Sequence, residues 1–298
     1  NYNLTILFLL ITYFIFLLNF LLKFKFKEKL FLIVLYLSTT NFALVERLAT
    51  DLVIFIIVYF VFFLNSKFFK SMIIYLGFAL KYYPIFLFSI FLKDKKFLIF
   101  SIITTIIIII LFFDHLFKMS SNLFEMALPI AYGSRTMLSA FYHLSNEYNF
   151  FLNDENLDFY RIMIVICFAV YSFILIMIGY LNTKNFNLEN KFNKYFIGGA
   201  SIFLGTFIIG SNADYRLIFL ILTLPLIFEL RNLFIKYCLL VSYFFIFNSF
   251  YFLIGDKLSA IFFISSSINF LFKILIFSLI SLIFGSQLKQ VDFFKLKF

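Results

Sequence analysis

Residues 67–96 read KFFKSMIIYLGFALKYYPIFLFSIFLKDKK. An apolar run, 71–92, is bracketed by Lys67 and Lys70 on one side and by Lys93, Lys95 and Lys96 on the other. Lysines flanking membrane segments are retained on the cytoplasmic face. A simple crossing would therefore carry one cluster to the wrong side and invert everything downstream. Two half-helices of about ten residues, each rising roughly 15 Å, instead reach mid-membrane and return. The turn falls at Lys81-Tyr82-Tyr83-Pro84, where Pro84 lacks the amide hydrogen that a continuing helix needs. The rival reading is a true span followed by a weakly biased loop.

Composition gives the same setting to the rest of the chain. Of 298 residues, 64% are hydrophobic and 13% charged, and the mean hydropathy is +1.04. A soluble domain is nearer half apolar and a quarter charged. Too little polar surface remains to cover a water-exposed globule, which excludes a cytosolic enzyme. Disorder is excluded because it requires low hydrophobicity. Phe accounts for 52 residues and Trp for none, the usage of an AT-rich coding sequence in which most aromatics are lipid-facing filler. Cys167 and Cys238 each lie inside an apolar stretch, where packing is expected rather than a disulfide or a metal site.

A bilayer takes about 20 apolar residues as a helix. Such stretches lie at 4–22, 30–45, 51–64, 71–92, 97–113, 162–181, 195–210, 217–230, 237–254 and 260–284. With the amino end outside and every stretch crossing except 71–92, 17 of the 25 basic residues fall on the cytoplasmic side and ten of the fifteen acids on the other. The net charge of +10 is thus a topology signal, and no nucleic-acid partner is expected. The predicted fold is all-α: a polytopic membrane helix bundle, 1–298, of about nine crossings plus a re-entrant hairpin. An external segment, 114–161, carries short amphipathic helices at 123–131 and 137–144. No Gly-rich phosphate loop, Cys cluster, His-Glu zinc pattern or Ser-nucleophile elbow occurs, so neither a metal nor a cofactor is expected.

Ionisable groups at membrane depth are costly and are functional suspects. Four groups qualify, all toward the non-cytoplasmic face. Glu46-Arg47-Leu48-Ala49-Thr50-Asp51 joins the second and third crossings. Arg47 and Asp51 there form either a local i, i+4 pair or the edge of a cavity in which Glu46 or Asp51 handles a proton. Lys81, with Tyr82 beside it, sits at the hairpin apex and either pairs with a carboxylate such as Asp51 or Asp214 or captures a phosphate. Asp214-Tyr215-Arg216 opens a crossing. A helix cap accounts for Asp214 but not for Arg216, whose planar fork suits phosphate. Arg135, with Ser134, Thr136 and His143, belongs to the external segment and reads first as a solvated loop. Lys273 and His115 read as structural.

Glu46-Arg47-x-x-x-Asp51, Gly77-Phe78-Ala79-Leu80-Lys81-Tyr82-Tyr83-Pro84 and Asp214-Tyr215-Arg216, in that order over roughly 30–230, resemble elements of the polyprenol-phosphate-dependent mannosyltransferases, glycosyltransferase family 87 of the C-type superfamily. The resemblance implies a membrane enzyme of the bacterial inner membrane with its site facing the periplasm. It would move a mannose-like hexose from a polyprenyl-phosphate donor, with inversion, to a glycolipid or glycan acceptor. Asp51 and Glu46 are then the candidate catalytic carboxylates. Lys81, Tyr82, Asp214, Tyr215, Arg216 and Arg135 are the candidate substrate-binding residues. The family's usual base in a first external loop has no counterpart here, so an amino-terminal segment carrying it is expected to precede Asn1. A transporter or flippase for a lipid-linked sugar is the alternative, since broken helices and midplane charges also serve transport.

Overall fold

The computed structural model describes residues 2–46, 50–111, 131–134, 136, 157–183, 193–210, 212–248 and 260–291. Eleven α-helices lie among the described residues: α1 (Tyr2–Leu21), α2 (Phe26–Tyr36), α3 (Thr39–Glu46), α4 (Thr50–Val61), α5 (Lys67–Leu80), α6 (Lys95–Leu111), α7 (Leu157–Leu181), α8 (Lys194–Ile209), α9 (Leu224–Glu229), α10 (Leu233–Phe247) and α11 (Ala260–Gln290). Two long 3-10 helices, Tyr83–Phe91 and Asp214–Thr223, interrupt the series. One antiparallel strand pair, β1 (Ala131–Tyr132) with β2 (Asn212–Ala213), sets Tyr132 opposite Asn212. The class is all-α, as expected. Within the external segment 114–161, Ala131–Tyr132 is a strand and 157–161 opens α7; the rest of the amphipathic helix expected at 123–131, and all of the one expected at 137–144, lie outside the described residues.

The chain folds back at Lys81 and Tyr82, as the bracketing lysines predict. Lys81 is extended (φ −154°, ψ 150°), Tyr82 caps the first 3-10 helix, and Pro84 occupies its opening turn, where a missing donor costs nothing. The arms run antiparallel. Gly77 lies against Pro84, so closely that a Cβ on Gly77 would come within 3.1 Å of it. Tyr75 packs on Phe88 with ring centroids 5.0 Å apart. At the open end Lys67 forms an ion pair with Asp94. That bond, then the Phe97 amide, holds the Asp94 carboxyl below its usual range. Its contribution is present above the ordinary carboxylate pKa and is lost as the pH falls through the lowered one. Both lysine clusters therefore sit at one end of the hairpin, about 20 Å from the turn given 14 residues of α5. The second arm is 3-10 rather than α-helical. At about 2.0 Å per residue its nine residues match the reach of α5.

Two other expectations change. The stretch 30–45 is two helices, α2 and α3, broken at Leu37 and Ser38. Polar side chains take up the freed backbone groups: Ser38 Oγ accepts from the Asn41 amide at 3.3 Å, and Asn41 Nδ2 donates to the Tyr36 carbonyl at 2.7 Å. Such local bonds compete with helix continuation. The stretch 217–230 is not one helix but the second 3-10 helix followed by α9, with Pro225 in the first turn of α9.

Helix α8 lies between the two 3-10 helices, and its glycines set that spacing. A Cβ on Gly205 would fall 2.4 Å from the Phe86 ring on one side, and one on Gly199 would fall 2.7 Å from the Phe219 carbonyl on the other. The second 3-10 helix is locked further by Thr223, whose Oγ1 donates to the Leu220 carbonyl at 2.7 Å and lies 2.5 Å from the Tyr243 hydroxyl. Tyr243→Phe is expected to cost about 1 kcal/mol, the net worth of one buried hydrogen bond; thermal unfolding of the purified protein checks it.

The most extensive helix pair is α7 with α11. These contain the two described segments long and apolar enough to cross a membrane, Ile162–Leu181 and Ile268–Gln290. Small residues line their parallel seam, with Ser172 3.2 Å from Ser281. Outward faces carry large apolar side chains, Ile162, Ile166, Val170 and Phe173 on α7 and Ile106, Ile107 and Ile110 on α6 among them. A water-soluble monomer rarely exposes contiguous apolar surface of this kind. Both cysteines are free; Cys167 is exposed on α7 rather than packed.

Candidate functional site

Three chain breaks meet at one carboxylate. Asp51 is in the first turn of α4, where the helix dipole favours negative charge, and is 0% exposed. Lys81, at the turn of the hairpin, puts Nζ 2.5 Å from Asp51 Oδ2. The Tyr83 hydroxyl, at the start of the first 3-10 helix, donates to Oδ1. Arg216, two residues into the second 3-10 helix, places Nε 3.3 Å from the same Oδ1. That last approach is an ion-pair contact without hydrogen-bond alignment.

The broken helices are what make this meeting possible. A continuous helix through Lys81 would satisfy its own backbone and direct side chains to its flanks. The extended residue at 81 instead ends α5 and turns the lysine toward α4. The Arg216 guanidinium stands over the Tyr83 ring, 5.6 Å from its centroid. That distance is within the range in which ring quadrupoles attract cations. Tyr83 packs edge-on to Phe219 at 5.4 Å, which ties the two 3-10 helices together beneath the charges.

Two cations thus share one buried carboxylate in this cluster. It is not evenly sealed: the Lys81 side chain is 22% exposed, against 10% for Arg216 and none for Asp51. The lysine is therefore the open edge of the cluster. Tyr82 and Tyr132 lie within electrostatic reach of Arg216. Tyr132 is held by its hydroxyl, 3.1 Å from Thr206 Oγ1, and by Ser134, which donates to the Ile208 carbonyl at 2.6 Å.

Of the residues singled out in the sequence, Asp51, Lys81 and Arg216 come together. Tyr82 is near them, but its neighbour Tyr83 makes the bond to Asp51. Tyr132 was not singled out at all; a tyrosine in a polar connecting segment carries no pattern that marks it. Glu46 ends α3, and Asp214 and Tyr215 open the second 3-10 helix, but their side chains lie outside the described residues, as do Arg47, Arg135, His115 and His143. Lys273 is buried in α11, in keeping with a structural role. Among the described residues no group of three or more His, Cys, Asp or Glu side chains could hold a metal ion.

No family model matches the chain, and neither a curated protein nor a solved structure proves similar to it.

Proposed function

We propose that the chain is a polytopic membrane glycosyltransferase that moves a mannose-like hexose from a polyprenyl phosphate to a glycolipid or glycan acceptor at the non-cytoplasmic face of a bacterial inner membrane. The observation that carries the reading is the pairing of Lys81 and Arg216 on one carboxylate, Asp51, with the lysine at the open edge of the cluster. In the reaction the acceptor hydroxyl oxygen bonds to the anomeric carbon. The bond from that carbon to the phosphate oxygen breaks, and the phosphate leaves with the electron pair. Fixed cations aimed at the charge that grows on the leaving group lower the barrier because they need no reorganisation. Lys81 and Arg216 fill that role, with Tyr82, Asp214, Tyr215 and Arg135 as further contacts to donor or acceptor.

A carboxylate must also receive the hydroxyl proton. Asp51 is engaged by two donors, Lys81 and Tyr83, and by the Arg216 guanidinium, so taking a proton would require one of those contacts to open. Its first duty in this reading is to hold the two cations in place, which leaves Glu46 as the candidate to act on the acceptor. The apolar outer faces of α6 and α7 support the membrane setting.

The test is transfer from a synthetic polyprenyl-phosphate mannose by the purified full-length protein in lipid nanodiscs. Lys81→Ala and Arg216→Ala are each expected to lower the rate about 10²- to 10³-fold, the usual cost of one such electrostatic donor, while eluting as the same monodisperse species. Wild-type rates in both variants, or no transfer by the wild type from any polyprenyl-phosphate sugar, would reject the proposal.

A further inference from the structure

The opposite end of the hairpin forms a second, unrelated site. A pocket of about 570 Å³ opens there, lined among the described residues by Lys67, Lys70, Lys93, Lys95, Lys96 and Lys194 together with one acid, Asp94. Asp94 is already paired with Lys67. The volume lies within the range of small-molecule sites, about 300–1,000 Å³.

Retention of lysines on one side of a membrane accounts for the basic composition of 67–96. It does not account for three further features. First, Lys70 is only 7% exposed, and among the described residues no acid or hydrogen-bond acceptor holds its ammonium. Burial, and then the like charge of Lys194, push the ammonium pKa down. Second, Lys194 comes from a distant part of the chain, yet α8 delivers it to the same pocket. Third, the helices α5, α6 and α8 begin at Lys67, Lys95 and Lys194, so three positive helix ends converge where lysines already crowd. A cation in the first turn of a helix is unfavourable by about 0.3–1 kcal/mol, and here the penalty recurs three times around one cavity. An anion in the cavity turns each of these costs into an attraction, because ammonium groups and helix starts both bind phosphate; the first turn of α5 has no side-chain cap, whereas Asp94 and Asn193 each already accept from an amide of α6 and α8.

We propose that the pocket binds a phosphate-bearing anion, either a lipid headgroup or a soluble phosphate ester, through the buried Lys70 and the exposed Lys194 facing it. Lys93, Lys95 and Lys96 form its mouth. The site does not depend on the transfer reaction, since it lies about 20 Å from Lys81 along α5.

The experiment uses full-length protein and two arms. In the soluble arm, inorganic pyrophosphate is titrated onto protein in phosphatidylcholine nanodiscs, and binding is read by calorimetry and by the shift in thermal unfolding. In the lipid arm, nanodiscs containing phosphatidylglycerol replace the phosphatidylcholine ones. Saturable binding or stabilisation is expected in one arm, and that arm identifies the source of the phosphate. K70M/K194M is expected to weaken the response at least tenfold. K25Q/K27Q, which removes two exposed lysines outside the pocket, is expected to leave it unchanged. Equal responses in the two variants would reduce the effect to general surface charge and overturn the proposal. So would the absence of a saturable response from the wild type in both arms, whatever the variants do.

Discussion

Asp51→Ala is expected to destabilise the folded chain by about 3–5 kcal/mol, the cost of stranding buried charge by removing one partner. The magnitude follows from what is left behind. Lys81 and Arg216 would face each other with no carboxylate between them, at positions where their side chains are mostly shielded from water. The Tyr83 hydroxyl, wholly buried with its ring, would lose its acceptor as well. Water could reach Lys81, so the lysine would swing outward; Arg216, trapped over the Tyr83 ring, has less freedom to do so. The measurement is thermal unfolding in detergent, followed by the fraction of monodisperse protein surviving each temperature. Adding Lys81→Met to Asp51→Ala should restore part of the loss, since one of the two stranded cations is gone, and the cycle of single and double variants gives the coupling directly. A variant that unfolds within 1 kcal/mol of wild type, on the scale of an exposed ion pair, would mean that Asp51 does not hold the two cations.

The second large effect is expected at the seam between α7 and α11. A Cβ on Gly179 would fall 1.9 Å from the Leu282 carbonyl oxygen, and one on Gly285 would fall 1.9 Å from the Ile176 carbonyl oxygen. Backbone meets backbone at both points, so no side chain can turn aside to make room. Gly179→Ala with Gly285→Ala forces the helices apart along the stretch where they pack best. Overpacking costs about 1–3 kcal/mol per site, sometimes more, and the two sites act on the same seam. Close approach through small residues is also the main source of helix association in a lipid solvent, where no hydrophobic force drives the helices together. Ser172→Ala, which surrenders only a 3.2 Å hydroxyl contact with Ser281, should cost about 1 kcal/mol or less. If the double glycine variant unfolds no earlier than Ser172→Ala, the two backbones do not touch as described.

These effects concern residues of very different legibility. The break at Lys81–Pro84 could be read in advance because two independent signals coincide there: lysines on both sides of an apolar run, and a proline that cannot continue a helix. Asp51, Lys81 and Arg216 were recognisable one by one because charge is conspicuous in an apolar chain. Tyr83 was not, since nothing in a Tyr-Tyr pair says which ring turns inward until the backbone conformation at Lys81 is known. The break between α2 and α3 was missed because Ser38 and Asn41 look like tolerable polar residues within a short span. Only their bonds to neighbouring backbone reveal a cap. The 3-10 form of Tyr83–Phe91 and Asp214–Thr223 was equally hidden. Its extra rise per residue depends on packing against the glycines of α8.

From its letters alone the chain determined that apolar surface would dominate, where most of the helical stretches would fall, that 71–92 would fold back, and which charges would need partners. Those properties are local or additive: the transfer energy of each run and the charge at each flank do not depend on distant residues. Tertiary structure alone decided that Lys81 and Arg216 share Asp51, that Lys70 and Lys194 share a pocket, and that Gly179 and Gly285 carry the tightest seam. Partnerships between distant residues follow from how broken helices are aimed and how closely backbones approach, and neither quantity is carried by any single segment.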